Sequence, residues 1–296
     1  MKYIKVLLVM ITLMLVLGGC SKEEEQEIVL NEQGSAPTVQ PTVSSEQQVE
    51  ESEKPTQTPK PETEQTQKPT KEPSNSTVQL LEAKNSSKYT VVIDAGHQKQ
   101  GNSDHEPIGP GASETKPKVS SGTTGVASGV PEYVVTLQVS KKVESILKSK
   151  GYNVIMCRDT HEVDMSNSER AQIANNANAD AFIRIHCNGA ENSSAKGALT
   201  MCQTKKNKYC GKLHSKSREL SQRLVDRICE ATGAQNKGIL ESDTMSGINW
   251  CSVPVSIIEM GFMSNKEEDL LLVDDGYQDK MAVGICNGVI EYLNKK

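Results

Sequence analysis

The chain has 296 residues, of which 35% are hydrophobic and only 3% aromatic, and its formal net charge is −5. Length alone allows one large domain or two small ones. The charge is spread unevenly: residues 1–20 carry +2 and residues 22–87 carry −7, so the remainder from Lys88 onward is neutral. A neutral domain without a basic stripe interleaved with aromatic residues gives no support for nucleic-acid binding, and we exclude that class.

The first twenty residues have the features of an export signal. Lys2 and Lys5 precede an uncharged apolar run of about a dozen residues, which is shorter than the ~20 residues that a membrane-spanning helix needs. The run ends in Leu-Gly-Gly before Cys20, a pattern similar to the lipobox of bacterial lipoproteins, where cleavage leaves the cysteine as a lipid-bearing N-terminus. The alternative is an uncleaved anchor with an incidental cysteine. Either interpretation predicts an exported chain that is tethered to a bacterial membrane.

Residues 21–87 form a segment without aromatic residues that holds seven of the twelve prolines. It has thirteen glutamates against six lysines and is rich in Thr, Gln and Ser. Such a composition cannot bury enough apolar surface to offset the entropy lost on ordering, so we predict a disordered linker. A flexible coil of this length spans roughly 45 Å on average, with an extended limit of about 220 Å. The domain that follows can therefore reach outward from a membrane.

From Lys88 to Lys296, short apolar segments alternate with longer segments of helical period. The predicted strands are Tyr89–Asp94, Asn153–Arg158, Ala181–His186, Gly197–Gln203 and Val255–Glu259. The predicted helices cover 132–150 after Pro131, 171–177 behind a capping box of Ser166 and Glu169, 213–231 and 281–293. This alternation predicts a single α/β domain over residues 88–296, with a largely parallel, mixed and twisted sheet flanked by helices.

Three of the predicted strands lead into residues that bind metals or move protons. His97 follows the first strand after Gly96, His186 ends another, and Glu259 ends the last. The carboxyl ends of parallel strands share one edge, where ligands bind, and Glu132 in the first turn of a helix can face the same edge. Taken alone, each has a structural explanation, such as a capped carbonyl or a helix N-terminus. Together they match a catalytic zinc site with two histidines, one carboxylate ligand and a second carboxylate for proton transfer.

The chain resembles zinc-dependent N-acetylmuramoyl-L-alanine amidases of the third amidase family. Four blocks carry the resemblance, namely Asp94-Ala95-Gly96-His97, Pro131-Glu132, residues 169–188 and residues 258–268. The likeness extends over about Tyr89 to Leu293, and four blocks in order are far more specific than any one of them. It implies a cell-wall hydrolase whose substrate is peptidoglycan and whose domain faces the wall. Whether a protein activator is needed does not follow from it.

The resemblance also implies roles for individual residues. His97, Glu132 and His186 would bind one Zn2+, and Glu259 would be the catalytic glutamate. Glu259 would activate the water that attacks the amide between N-acetylmuramic acid and L-alanine, and would then protonate the departing amine. Asn188 is a candidate substrate contact, or else an amide that satisfies a loop backbone.

Two roles are open for Asp94: it orients a metal ligand without binding the metal itself, or it is simply the last residue of its strand. The sequence departs from the family pattern at Gln98-Lys99, where members often carry glycines, and at Arg184, where serine is more common; we expect both departures to shift substrate preference. The stretch from Gln98 to Val130 has thirty-three residues rich in Gly, Ser, Thr and Pro and no helical period. Long loops inside compact domains are usually functional, so we expect this segment to form one wall of the substrate groove.

The predicted domain has seven cysteines, an odd number for an exported domain. The spacing of Cys202 and Cys210 fits a disulfide across a hairpin, whereas Cys157, Cys187 and Cys286 lie in apolar segments typical of core thiols.

Trp250 either fills the core or stacks on a sugar, and His105 is the one credible substitute for a metal ligand.

Two other functions remain open. A non-catalytic wall-binding or regulatory module would need the groove but not Glu259. A zinc carboxypeptidase that cuts within the stem peptide would use the same chemistry.

Overall fold

A six-stranded sheet forms the centre of the protein, whose structure is a computed structural model that describes residues 78–296. The strands are β1 (Thr90–Ala95), β2 (Asn102–Pro107), β3 (Thr115–Val119), β4 (Asn153–Met156), β5 (Ala181–Asn188), β6 (Ala198–Cys202), β7 (Asn236–Glu241) and β8 (Val255–Phe262). The main sheet has the order β4-β1-β5-β8-β6-β7, and β2 and β3 form a separate antiparallel pair. Strands β4, β1, β5 and β8 are mutually parallel, while β6 runs antiparallel to β8 and parallel to β7. The predicted largely parallel, mixed sheet is confirmed.

Helices cover both faces of the sheet. They are α1 (Glu132–Ser149), α2 (Asn167–Asn176), α3 (His214–Thr232), α4 (Ser246–Asn249), α5 (Lys266–Leu272) and α6 (Asp275–Leu293). The apolar sides of α1, α3 and α6 join one buried cluster, and α2 and α4 contribute to a second cluster. Within residues 78–296, no helix is both long and apolar enough to span a bilayer.

The local signals at the starts of the helices act as the sequence indicates. Pro131 precedes α1 with a φ of −68°, which is preorganised for a helix start. The capping box of α2 forms in both directions: the Ser166 hydroxyl accepts from the Glu169 backbone N–H at 3.2 Å, and the Glu169 carboxylate accepts from the Ser166 backbone N–H at 2.7 Å. These caps fix where α1 presents Glu132 and where α2 presents its arginine.

The main differences from the predicted elements lie beside the site. Strands β5 and β8 continue past His186 and Glu259, so neither residue is a strand end. Each strand has a hydrogen-bonded neighbour on both sides, which holds it extended through polar residues, and a register irregularity between His186 and Asn188 marks where the β5–β8 pairing changes. The sequence pattern missed β2, β3, β7, α4 and α5, because they are short or lack a regular apolar period.

The residues immediately before Lys88 pack onto α6. Asn287 accepts a hydrogen bond from the Leu81 backbone N–H at 2.8 Å and donates one to the Gln79 carbonyl at 3.1 Å. Leu80 and Leu81 lie against the larger apolar cluster. Ordered contacts therefore begin ahead of the boundary that the sequence analysis placed at Lys88. The predicted signal, Cys20 and the linker as far as residue 77 lie outside the described residues.

All seven cysteines of the described part are free thiols. Cys202 and Cys210 do not form the disulfide that their spacing allows; the Cys210 thiol instead donates to the Asn207 side chain and the Ile248 carbonyl, both at 3.5 Å. Burial raises the pKa of Cys202 to about 11 and that of Cys210 to about 12. Trp250 is partly buried against the second cluster and its indole donates to the Pro107 carbonyl at 2.8 Å, which favours a packing role.

Candidate metal and catalytic site

His97, Glu132 and His186 bring three potential metal ligands together at the carboxyl edge of β1 and β5. Nε2 of His97 lies 3.1 Å from Nδ1 of His186, and these two nitrogens lie 3.2 and 3.3 Å from Oε1 of Glu132. Four ligands arranged tetrahedrally at zinc-ligand distances are about 3.3 Å apart, so the triangle has the dimensions of one face of a zinc site. Two imidazoles and a carboxylate are also a catalytic zinc set, with the fourth position left for water.

The backbone and the hydrogen bonds of His97 fix which of its nitrogens faces the cluster. His97 follows β1 with a φ of +59°, in the left-handed region that turns the chain sharply away from the strand. Its Nδ1 lies 2.9 Å from the carbonyl oxygen of Ser120, which can only accept, so Nδ1 carries the proton. Nε2 is therefore the nitrogen that faces the cluster and that would bind a metal.

Two buried arginines hold the turn that carries His97. The guanidinium of Arg158 donates to the carbonyls of Ala95 and Gly96 at 2.8 and 2.9 Å. Arg170 donates to the carbonyls of Ala95 and His97 at 3.1 and 3.2 Å. Neither arginine has a role that the sequence alone predicts. The sequence gives a signal for Arg158 alone, as a charged residue at the end of an apolar segment, since a buried charge must have partners.

Glu132 is 2% exposed and is held by the backbone on both oxygens. Oε1 accepts from the Cys187 N–H at 2.9 Å and Oε2 from the Thr123 N–H at 3.0 Å. Burial alone would raise the pKa of Glu132, but the neighbouring charge of His97 and hydrogen bonds with both imidazoles outweigh burial and lower the pKa. The carboxylate is thus ionised and oriented, as a metal ligand must be.

Two glycines leave the space that these side chains fill. A Cβ on Gly96 would lie 2.5 to 2.7 Å from three atoms of the His186 ring. A Cβ on Gly122, where φ is +81°, would lie 2.7 Å from Oε2 of Glu132 and 2.9 Å from the His97 ring. The cluster therefore occupies a pocket that only glycine permits at both positions.

Glu259 stands beside His186 on the neighbouring strand. The two residues are directly paired in the parallel register of β5 and β8, so their side chains leave the same face of the sheet. Glu259 is 9% exposed and lines the same cavity as the three candidate ligands. Asn188, two positions after His186, is 5% exposed and lines that cavity too.

The cavity above the site has a volume of about 660 Å3. The segment between β1 and α1 supplies one wall through Lys116, Pro117 and residues 119–124, in agreement with the groove wall expected from the sequence. Gln98 and Lys99 are not part of this lining: Gln98 is fully buried against Arg170, and Lys99 pairs with Glu162 on the surface. The expectation that this pair shapes substrate preference is therefore not supported by their positions.

Asp94 and His105 have partners outside the candidate ligand cluster. Asp94 is fully buried between two guanidinium groups, with Oδ1 2.6 Å from Arg170 and Oδ2 2.9 Å from Arg184. Burial would raise its pKa, but the two arginines outweigh burial and lower it. It therefore anchors arginines and does not orient a histidine. His105 lies on the exposed strand β2, where Nδ1 contacts the Thr115 hydroxyl at 2.9 Å, and it is not part of the ligand cluster.

Known proteins resemble this chain both in sequence and in fold. A family model described as N-acetylmuramoyl-L-alanine amidase matches residues 91–291. The chain is 30% identical to the protein YqiI of Bacillus subtilis (strain 168) over 207 residues, which cover 70% of this chain and 85% of YqiI. It is 26% identical to the N-acetylmuramoyl-L-alanine amidase LytC of the same strain, over 69% of this chain but only 35% of LytC.

The fold is similar to that of solved N-acetylmuramoyl-L-alanine amidases. The N-acetylmuramoyl-L-alanine amidase from Clostridium difficile 630 is 30% identical and has a TM-score of 0.57, covering 70% of this chain and 98% of that one. The amidase Ami1 from Mycobacterium smegmatis has a TM-score of 0.65 at 23% identity, covering 72% of this chain and 100% of that one, and so supports the fold alone.

Proposed function

The chain belongs to the N-acetylmuramoyl-L-alanine amidase family and hydrolyses the amide bond between N-acetylmuramic acid and L-alanine in peptidoglycan, and we propose that it does so with a zinc ion held by His97, Glu132 and His186. The observation that carries the proposal is the triangle of ligand atoms, with sides of 3.1 to 3.3 Å. The protonated Nδ1 of His97 and the ionised Glu132 support it. Zinc bound there would polarise the amide carbonyl and lower the pKa of the attacking water.

We propose Glu259 as the group that moves protons. Its place beside His186 in the sheet puts a carboxylate at the cavity next to the ligand cluster, and the metal ligands do not include it. It would take a proton from the water that attacks the amide carbon, and would return that proton to the alanine nitrogen as the C–N bond breaks. One carboxylate thus serves as base and then as acid.

We propose that Asn188, two positions after His186 on β5, contacts the substrate. Its Oδ1 accepts from the Gly189 N–H at 2.8 Å, which fixes the orientation of the amide. Its buried Nδ2 has no hydrogen-bond partner within residues 78–296. Because an unmade buried donor is costly, we propose that this N–H group donates to an oxygen of the bound substrate.

The first test is digestion of purified peptidoglycan and defined muropeptides by the protein with zinc, after chelation, and after zinc is restored. We expect cleavage to expose alanine amines and to leave glycan without peptide, to stop on chelation and to return with zinc. A carboxypeptidase would leave alanine attached to the sugar, and a binding module would release nothing. Either of those results would refute the proposed activity.

Glu259→Gln tests the proton-transfer role, with Glu267→Gln on the exposed start of α5 as the matched control. We expect Glu259→Gln to lower kcat by at least about 100-fold, since general acid-base catalysis contributes about 100- to 10,000-fold. Zinc binding should be retained, because Glu259 is not a ligand. A kcat equal to that of the control would exclude Glu259 as the catalytic group.

We also propose that Cys20 carries a lipid that anchors the exported protein to a bacterial membrane, with the catalytic domain facing the wall. The support is the export signal and lipobox pattern of residues 1–20. Detergent phase partition of the mature protein tests this: the wild type should enter the detergent phase and Cys20→Ser the aqueous phase. Equal partition of both would count against a lipid on this cysteine.

A further inference from the structure

The floor of the cavity consists of two parallel rows of residues across the sheet. In the first row, His186 of β5 pairs with Glu259 of β8. In the second row, Arg184 of β5 pairs with Ile257 of β8, which in turn pairs with Met201 of β6. Arg184, Ile257 and Met201 all line the cavity, so a cation and two apolar side chains lie one step along the strands from the reacting centre.

The distance between the two rows suits a substrate that extends along the floor. Residues two apart on one face of a strand are about 6.6 to 7 Å apart, which equals about two residues of extended peptide. A substrate whose scissile amide lies at His186 and Glu259 would place the residue after its alanine over Arg184. The side chains that pair with Arg184 across the sheet, Ile257 and Met201, are apolar, so the guanidinium is the charged group of this row.

Arg184 keeps hydrogen-bond donors that no group within residues 78–296 uses. Its Nε donates to Asp94 at 2.9 Å and one terminal nitrogen donates to Asn167 at 2.7 Å, out of five N–H bonds on the guanidinium. Arg170, on the other side of Asp94, bonds through all three nitrogens to Asp94, three backbone carbonyls and Gln98. Arg170 is thus held by the protein, whereas Arg184 has N–H groups left for a ligand.

The charges beneath the floor are also unbalanced. Arg158, Arg170 and Arg184 are 2%, 0% and 3% exposed. Within the described part of the chain, Arg170 and Arg184 form their ion pairs with a single carboxylate, Asp94, and Arg158 forms none. An excess of buried positive charge is costly unless an anion compensates for it, and Arg184 is the member of this group that reaches the cavity.

We propose that Arg184 binds a free carboxylate on the substrate residue that follows the alanine of the scissile amide. The inference rests on the proposed function, since it places the amide at His186 and Glu259. Arginine matches the planar geometry of a carboxylate and forms short, charge-assisted hydrogen bonds with it. A primary amide at the same position would offer one acceptor and no charge, and would place its own donors against the guanidinium. The enzyme therefore prefers stem peptides in which this carboxylate is not amidated.

The test compares two N-acetylmuramoyl tripeptides that differ only in the second residue of the peptide, which carries either a free α-carboxylate or its amide. The kcat/KM of each is measured for the wild type, Arg184→Ser, Arg184→Lys and a control, Arg218→Ser, whose side chain is 52% exposed on α3 outside the cavity. Calorimetric binding of both compounds to the Glu259→Gln protein runs in parallel. Thermal unfolding of each variant shows whether it folds, and Asp94 keeps Arg170 as a partner in Arg184→Ser.

We expect the wild type and Arg218→Ser to prefer the carboxylate by about 10- to 100-fold, the size of a hydrogen bond to a charged group. Arg184→Ser should lose most of this preference through slower turnover of the carboxylate substrate alone, and Arg184→Lys should keep part of it. Absence of preference in the wild type, or an equal loss on both substrates in Arg184→Ser, would overturn the inference. If neither compound is cleaved but the carboxylate still binds more tightly, the proposed function fails while the carboxylate site stands.

Discussion

Replacing Gly96 with alanine tests whether the position of the His186 ring determines metal binding. Gly96 is the last residue before His97, and the added methyl group would lie 2.5 Å from Cε1, 2.6 Å from Nδ1 and 2.7 Å from Nε2 of His186. Two non-bonded carbon atoms normally approach to about 3.5 to 4.0 Å. The ring must therefore move by about 1 Å, and Nδ1 must leave the triangle that it forms with His97 and Glu132.

The size of the effect follows from that displacement. Loss of a group that orients a metal ligand typically costs 10- to 100-fold in metal affinity, and a displacement of about 1 Å at a reacting centre costs about 100-fold in rate. We therefore expect Gly96→Ala to weaken zinc binding about 10- to 100-fold and to lower kcat/KM about as much at limiting zinc. The backbone of Gly96 does not require a positive φ, so steric conflict with His186 is the main cause.

Competition of the protein with a chromogenic chelator measures the zinc affinity directly, without reference to activity. Gly276→Ala in the first turn of α6 is the matched control, because its Cβ would meet only an oxygen of Asp274 at 3.4 Å. That control should bind zinc like the wild type and should be slightly more stable, since alanine favours a helix more than glycine does. An unchanged zinc affinity in a folded Gly96→Ala protein would refute the assignment of His186 as a ligand.

Three further predictions concern stability and the thiols. Asp94→Asn should lower the free energy of unfolding in urea by about 3 to 5 kcal/mol, because it leaves two buried arginines without their carboxylate; no loss would contradict this. Because folding lowers the pKa of Asp94, its stabilisation is present above the ordinary carboxyl pKa and is lost as the pH falls, so the difference between the two proteins should shrink in acid. Asn287→Ala should cost about 1 to 3 kcal/mol in the same urea assay, since it leaves two backbone groups of the N-terminal segment unpaired; an equal midpoint and slope would show that the segment does not dock. Alkylation in denaturant without reductant should label all seven domain cysteines, and a peptide linking Cys202 to Cys210 would be the contrary finding.

The ligand cluster could be predicted because chemistry and topology agree on it. His97 follows an apolar strand and His186 lies within one, and a parallel arrangement brings both to one edge of the sheet. Glu132 begins a helix whose start is indicated by Pro131. The exact strand ends were not needed for this. Although β5 and β8 extend past His186 and Glu259, the two residues still face each other in register, so an error in strand length left the site intact.

The arginines beneath the site could not be predicted, because their role depends on distances that no local pattern encodes. Arg158 lies where a strand was expected to end, and Arg170 lies in a helix with a polar sequence. Their partners are backbone carbonyls of the turn at residues 95–97, more than sixty residues away in the chain. The role of Asp94 could not be predicted for the same reason. The sequence shows only a carboxylate at the end of a strand, and its partners Arg170 and Arg184 are distant in the chain.

The whole segment between β1 and α1, part of which forms the wall of the cavity, has no regular sequence pattern and is held in place by buried carboxylates and by backbone groups of neighbouring helices. Asp269 of α5 is fully buried and accepts hydrogen bonds from the Ala127 and Ser128 N–H groups, both at 2.7 Å. The antiparallel pair of β2 and β3, which belongs to the same segment, is bonded to α2: Glu106 of β2 accepts from the Ser168 N–H at 3.1 Å. Polar loop residues gave the sequence no apolar period, yet each end of the wall is bonded to a helix. The composition therefore identifies the wall, but only the tertiary contacts show that it is bonded to the helices on both sides.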